Sequence, residues 1–380
     1  MAEFHDYDDE EESTPISEWV LDSSDFVSKE AADKYFQENP DAPRVAYEVE
    51  GETISVSVEV DRAAKSATAS AKYTLTGLPS ENVIQAIYVG TNFLYVDQTR
   101  NEPGGAIQLI SQYDIQGKTS GTLSNPNTMR LTRCGHNQSL QWDGGNYFWV
   151  GIKALSVSNS HWNEDNNEID WSTQVGRVEF KAGTEVDYSQ IPRISSLNRA
   201  NKNGSSIGAP FRSEVALSSN RKYLLIWSMN TKKDIQFAYY RLADLNSAMN
   251  QLVNASPKYI AADNSKIKGA CVASYFASRG SYTLPYSSLQ GLEFADDHAI
   301  YINGDRKDDS EHGKHRPRIS KKTWGTKNFE SGATYITTPN VPGQREAEGI
   351  QLKGDFVYMA VCYHPNPKTF TIVSIPKSSI

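Results

Sequence analysis

The sequence has few cysteines, no excess of basic charge and no long apolar run, and each shortage excludes something. Cys134, Cys271 and Cys362 are the only cysteines, in unlike contexts without CxxC or other metal-ligand spacing. They are expected to be buried small apolar side chains rather than redox or metal groups. Lys and Arg total 38 against 46 Asp and Glu. Seven of the acids fall within "MAEFHDYDDEEE", so the formal charge of −8 drops to −1 without that segment. A nearly neutral body offers no basic face for nucleic acid, and the acidic tail is expected to be solvated and disordered. No stretch approaches the roughly 18 apolar residues of a membrane span. The N-terminus lacks the basic and apolar regions of a secretory signal peptide.

What is present is a repeat. "QAIYVGTNFLYV" from Gln85, "QSLQWDGGNYFWVGI" from Gln138, "EVALSSNRKYLLIW" from Glu214, "QGLEFADDHAIYI" from Gln290 and "EGIQLKGDFVYMAV" from Glu348 share one pattern. An amide or carboxylate opens each copy, a small or short residue follows, apolar residues alternate, a turn intervenes and a second apolar run closes it. Ser218 breaks the pattern in the third copy. Period-two alternation across a Gly, Asn or Asp turn is a hairpin. A third strand follows each hairpin, as in "IQLISQYDI" and "FTIVSIP", and a fourth precedes the next, as in "TMRLTRC" and "ATYITT". Four antiparallel strands per unit in five units predict a five-bladed β-propeller over residues 71–380. A β-sandwich is the competing architecture. The same polar residue at the same point of all five hairpins favours the propeller.

The chain ends on the third strand of the last unit, so a strand is missing there. "AKYTLTGL" (Ala71 to Leu78), ahead of the first hairpin, is the spare strand that would close the ring and remove an open edge. Upstream, residues 1–16 are read as the acidic tail and residues 17–70 as an N-terminal extension. Within that extension a short helix capped by Ser28 is expected, and "RVAYEVEGETISVSVEVD" suggests a hairpin.

In a propeller the first strand of each blade lines the central channel. Gln85, Gln138, Glu214, Gln290 and Glu348 are therefore expected to form an axial ring, with Val83, His136, Arg212, Ser288 and Glu346 two residues earlier, nearer one mouth. Such a ring satisfies buried polar groups through water and backbone. Alternatively, His136, Arg212 and Glu346 recognise a polar ligand such as a sugar at the mouth. Ca²⁺ held by Glu214, Glu348 and the amides is a further option, although five long side chains specify no coordination geometry. For hydrolysis of a glycosidic bond, an acid and a carboxylate must flank it. Glu214 and Glu348 would be that pair, with Glu346 a third carboxylate. Glutamine at the other three positions argues against this chemistry.

Weaker features include the acidic "SHWNEDNNEIDW" (Ser160 to Trp171), which lacks EF-hand spacing. "GDRKDDSEHGKHRPR" (Gly304 to Arg318) carries His312 and His315 without evident ligand partners. "GAPFRSE" has no nucleophile-elbow motif around Ser213. Trp162, Trp171 and Trp324 are read either as loop aromatics that stack on sugars or as core residues at blade edges.

From about His136 to His364 the segments "HNQSLQW", "YFWVGIKA", "VGRVEF", "IPRISSLNRA", "SEVALS", "SLQGLEF", "AIYI", "EAEGIQL" and "MAVCYH" resemble, in order and spacing, the helveticin J family of large heat-labile bacteriocins of lactobacilli. The resemblance implies an antibacterial protein, secreted or released without a recognisable signal peptide, that kills related Gram-positive bacteria. It brings no catalytic residues. With no segment built to enter a bilayer, the expected partner is a cell-surface glycan or surface protein. The competing readings are a glycoside hydrolase of the five-bladed type and a non-lytic carbohydrate-binding protein.

Overall fold

The computed structural model describes residues 65–102, 105–153, 170–305, 316–339, 345–364 and 367–380, with the backbone of 47–49 and 52–54. The chain divides into two units, residues 1–63 and 64–380. In the first, Tyr47–Val49 and Glu52–Ile54 pair antiparallel. The acidic tail, the helix expected after Ser28, Trp162, His312 and His315 lie outside the described residues.

The second unit is a five-bladed propeller, as the repeat predicts. Blade 1 runs outward from Ile84–Val89 through Phe93–Glu102 and Gly105–Asp114 to Asn127–Thr132. Blade 2 comprises Leu140–Gly144, Tyr147–Ile152, Gln174–Glu179 and Arg193–Ser195. Blade 3 comprises Pro210–Leu217, Tyr223–Asn230, Ile235–Arg241 and Cys271–Ala277. Blade 4 comprises Gly291–Phe294, Ile300–Gly304, Arg318–Lys322 and Thr334–Thr337. Blade 5 takes Arg345–Lys353, Phe356–Tyr363 and Thr369–Pro376 from the C-terminal part and Ser70–Leu75 from the N-terminal part. That last pairing is antiparallel, with Phe370 opposite Leu75 and Ile372 opposite Tyr73. It is the closure that the spare strand implied.

The blades are held by five apolar clusters, one in each seam. Ala86, Ile110 and Leu131 meet Leu140, Phe148 and Val150 between blades 1 and 2. Val215, Leu224 and Ile226 pack on Trp149 and Val175 between blades 2 and 3. Trp227 and Phe237 meet Phe294 and Ile302 between blades 3 and 4. Ile319 and Ile336 face Val357 and Met359 between blades 4 and 5. Leu75 and Ile372 face Ile84 and Leu94 across the closing seam. A sheet buried on both faces needs apolar residues at successive positions, which is why "YLLIW" reads as a continuous run. Each fully buried Leu, Ile or Phe contributes about 1.5–3 kcal/mol, and the closing seam buries Ile84, Ile87, Leu94 and Ile372 in this way.

Four antiparallel strands per blade is an incomplete description. The segment just ahead of the fourth strand of one blade reaches back to the outer edge of the preceding blade and runs parallel to it. Glu185–Asp187 does this on blade 1, Tyr259–Ala261 on blade 2, Ser66–Thr68 on blade 4 and Gly121–Leu123 on blade 5. On blade 3 the same contact shrinks to a single bridge between Thr283 and Asn328. Three-residue strands are too short to show a period, so the sequence does not reveal them. Two helices in blade 3, Leu242–Leu252 and Ser265–Ala270, were also not anticipated. The first buries Leu242, Leu245, Ala248 and Met249 against the seam with blade 2.

The glycine that follows the polar residue in the fourth and fifth copies of the repeat has a steric reason. A Cβ on Gly349 would lie 2.6 Å from Ala86 Cα, and one on Gly291 would lie 2.8 Å from Ile350 N. Neighbouring inner strands approach so closely at the hub that only a hydrogen fits at these two places.

Candidate functional site

The inner strands bring the predicted ring together. Gln85, Gln138, Arg212, Glu214 and Glu348 are each under 10% exposed, while Gln290, His136 and Glu346 are partly exposed. Gln138 sits at the centre. Its Nε2 lies 3.0 Å from Gln85 Oε1, 3.0 Å from Gln290 Oε1 and 2.7 Å from Glu348 Oε2. An amide nitrogen has two protons for these three oxygens, so one proton is shared between two of them. Burial first, then the neighbouring Glu346 carboxyl, holds Glu348 well above the usual carboxylate range.

Arg212 supplies the ring's positive charge. It donates from Nε to Glu214 Oε1 at 2.9 Å, from Nη2 to Gln138 Oε1, and from Nη2 to Leu289 O at 2.8 Å. Its guanidinium lies 3.9 Å from the Trp171 ring centre and 5.6 Å from that of Trp227. Glu214, fully buried, also accepts from Ser139 Oγ at 2.7 Å and from the Gln138 backbone N–H at 3.2 Å. His136 contacts Gln85 Oε1 at 2.9 Å and meets Trp171 edge to face. Burial, then the Arg212 charge, lowers its pKa to about 3. Glu346 faces His364 at 3.3 Å. Val83 instead joins the apolar seam between blades 5 and 1.

The eight candidate residues are therefore gathered at one hub, where most of their polar atoms serve each other. Among the described residues, no group of three or more His, Cys, Asp or Glu is placed to hold a metal ion. Trp171 stands beside the hub, whereas Trp324 packs against Tyr239 and Tyr275 in the seam between blades 3 and 4. All three cysteines are buried and free.

A second axial layer lies three residues further along the same strands and was missed in the sequence. It consists of Tyr88, Gln141, Leu217, Glu293 and Gln351. Strict alternation would turn these residues away from the axis. The strand pairing slips at Gln85 and between Ala347 and Ile350, while Gln138 and Gln290 precede the ordered part of their strands. In blades 1 and 5 that irregularity shifts the phase between the two layers, and in blades 2 and 4 the first residue lies outside the strand that carries the second. Side chains of the second layer accept hydrogen bonds from backbone N–H groups of another blade. Gln141 Oε1 accepts from Leu217 at 3.0 Å, Glu293 Oε2 from Leu352 at 3.0 Å and Gln351 Oε1 from Val89 at 2.5 Å. Gln141 Nε2 also donates to Glu293 Oε1 at 2.7 Å. Burial raises Glu293 to about 8 despite these bonds. Asp97, bonded to Asn137 at 2.7 Å and near Glu214, is raised to about 7, again chiefly by burial.

This layer is the floor of a cavity of about 220 Å³ at the turn-side end of the axis, to which all five blades contribute. Trp142, Arg221, Thr91, Ser219 and Lys353 also line it. At the opposite end lie His136, Glu346 and His364. No helix among the described residues is long and apolar enough to cross a membrane.

Residues 63–376 match the family described as Bacteriocin helveticin-J. Bacteriocin helveticin-J of Lactobacillus helveticus is 23% identical over 312 residues, covering 75% of this chain and 88% of the relative. Among solved structures, an α-L-arabinofuranosidase of Podospora anserina in complex with cellotriose aligns at 8% identity. Its TM-score is 0.42, with 82% of this chain and 97% of that chain covered. A periplasmic gluconolactonase of Pseudomonas aeruginosa aligns at 11% identity and a TM-score of 0.32, covering 78% and 68%. The chain belongs to the helveticin-J bacteriocin family.

Proposed function

We propose that this protein is an antibacterial bacteriocin that acts outside the producing cell by recognising a wall glycan of related Gram-positive bacteria, without cleaving it. Family membership over residues 63–376 carries the antibacterial part of the reading. The state of the axial carboxylates supports recognition rather than hydrolysis. Glu214 has no exposure and both its oxygens are engaged by Arg212, Ser139 and the Gln138 backbone. Glu348 is 2% exposed and bonded to Gln138. A glycosidic bond needs two carboxyl groups on either side of it with space between them; here an amide fills that space.

One observation favours the hydrolytic alternative. Burial, then the neighbouring Glu346, holds Glu348 well above the usual carboxylate range, and a raised acid beside a carboxylate is the combination that such chemistry uses. The test is to expose a panel of Gram-positive bacteria, lactobacilli included, to the purified protein and to Glu346→Gln and Glu348→Gln. Recognition without cleavage predicts that cell binding and killing survive both substitutions. Killing lost with cell binding retained in folded variants supports hydrolysis.

A further inference from the structure

We propose that the turn-side axial cavity binds the terminal unit of a wall glycan or polyol through a carboxylate or phosphate on that unit. The inference rests on the wall-recognition reading above and names its site.

The cavity's shape suits an end group. About 220 Å³ admits one sugar or polyol unit rather than a chain. The hydrogen-bonded ring three residues earlier on the same strands stands at its inner end, so a polymer has no path to thread through the axis.

The cavity's chemistry suits an acceptor. Arg221 lays its guanidinium 4.6 Å from the Trp142 ring centre and makes no side-chain hydrogen bond or ion pair among the described residues. Its donors are thus unused on a stacked, oriented fork, the geometry that recognises carboxylate and phosphate. The turn that carries it is fixed: Arg221 has φ of 55°, its N–H donates to Ser218 O at 2.7 Å, and Ser218 Oγ accepts from the Lys222 and Tyr223 N–H groups. Lys353 adds a second cation, with Nζ on Gly90 O. Gln351 uses its oxygen on Val89, which leaves its amide N–H groups without a partner among the described residues. Burial pushes the floor carboxyl, Glu293, up to about 8, which favours its neutral form at pH 7 and weakens its opposition to an anion. Trp142 and Tyr88, with ring centres 5.3 Å apart, give the apolar wall on which a sugar face or polyol chain rests.

The test is calorimetric titration at pH 7 of the whole protein with glycerol 3-phosphate, glucuronate, glycerol and glucose. Arg221→Asn tolerates the left-handed turn position; Lys353→Gln removes the second cation, and Lys232→Gln removes an exposed cation elsewhere. The expected result is saturable binding of at least one anion, with the stronger identifying phosphate or carboxylate as the natural group. Binding should weaken at least tenfold in Arg221→Asn and Lys353→Gln, stay unchanged in Lys232→Gln, and exceed that of both neutral compounds at least tenfold. The assignment is overturned if neither anion saturates at millimolar concentration, if neutral compounds bind as well, or if folded Arg221→Asn and Lys353→Gln bind like the parent. Sedimentation with purified walls separates this failure from that of the broader reading. Walls retained equally by Arg221→Asn leave wall recognition standing without this cavity. Anion binding without wall retention leaves the cavity standing without wall recognition.

Discussion

Arg212 and Glu214, two residues apart on one inner strand, are joined at 2.9 Å with both side chains withdrawn from solvent. The pair links three blades, because Arg212 also reaches Gln138 and the carbonyl of Leu289. Removing one partner strands a buried charge, at a cost of about 3–5 kcal/mol. Arg212→Met should lower stability by that amount in denaturant unfolding. Arg212→Met with Glu214→Gln should recover part of the loss, since the second change removes the stranded charge.

Gly349 tests the close approach at the hub. An added methyl meets the backbone of Ala86 and Gln85 at 2.6 and 2.8 Å, and neither can move without shifting an inner strand. Gly349→Ala should destabilise by about 1–3 kcal/mol. Gly354→Ala, where a Cβ meets nothing within 4 Å but φ is 53°, should be destabilised less. Thermal unfolding of the two variants makes the comparison.

Ring closure depends on Thr369–Pro376, which pairs with Phe356–Tyr363 on one side and Ser70–Leu75 on the other. Truncation after Lys368 deletes that central strand and opens the seam between blades 5 and 1. The truncated chain should lose cooperative unfolding altogether, as read by near-ultraviolet circular dichroism and a denaturant titration.

Buried carboxyls set the pH dependence. Glu293 and Asp97 titrate near 8 and 7 in the fold, against ordinary values of 4.5 and 3.8. A raised pKa means that the unfolded chain loses its proton first. The stability these groups contribute is therefore complete below about pH 4 and is lost as pH rises through 7 and 8. His136 acts oppositely, because its folded pKa of about 3 lies below the ordinary 6.5, so stability is lost as pH falls from 6.5. Between about pH 4.5 and 6.5 the two carboxyls outweigh the one histidine, so the thermal midpoint should be highest near about pH 4 and decline until about pH 8. Glu293→Gln should flatten the alkaline side of that curve, measured by calorimetry at fixed ionic strength.

The repeat made the blades legible because each hairpin carries a polar residue that must face the hub and apolar residues that must fill two seams. Closure by Ser70–Leu75 was legible from counting strands. The parallel edge strands were not, since Gly121–Leu123 and Glu185–Asp187 are three residues long and gain their identity only from the neighbouring blade. At the axis, spacing located the ring at Gln85, Gln138, Glu214, Gln290 and Glu348. It could not reveal that the Gln138 side chain would engage three of the others and its backbone N–H the fourth. The layer of Gln141, Glu293 and Gln351 recurs three residues on, but a bulge at Gln85 or after Ala347 shifts strand phase without altering composition. Period-two reasoning therefore passed over it.

The most direct test is incubation of the purified protein with peptidoglycan and wall polysaccharide, scoring both retention on the polymer and release of reducing ends. The account predicts retention with no reducing ends released. Reducing ends that the protein releases and that vanish in folded Glu348→Gln would contradict it.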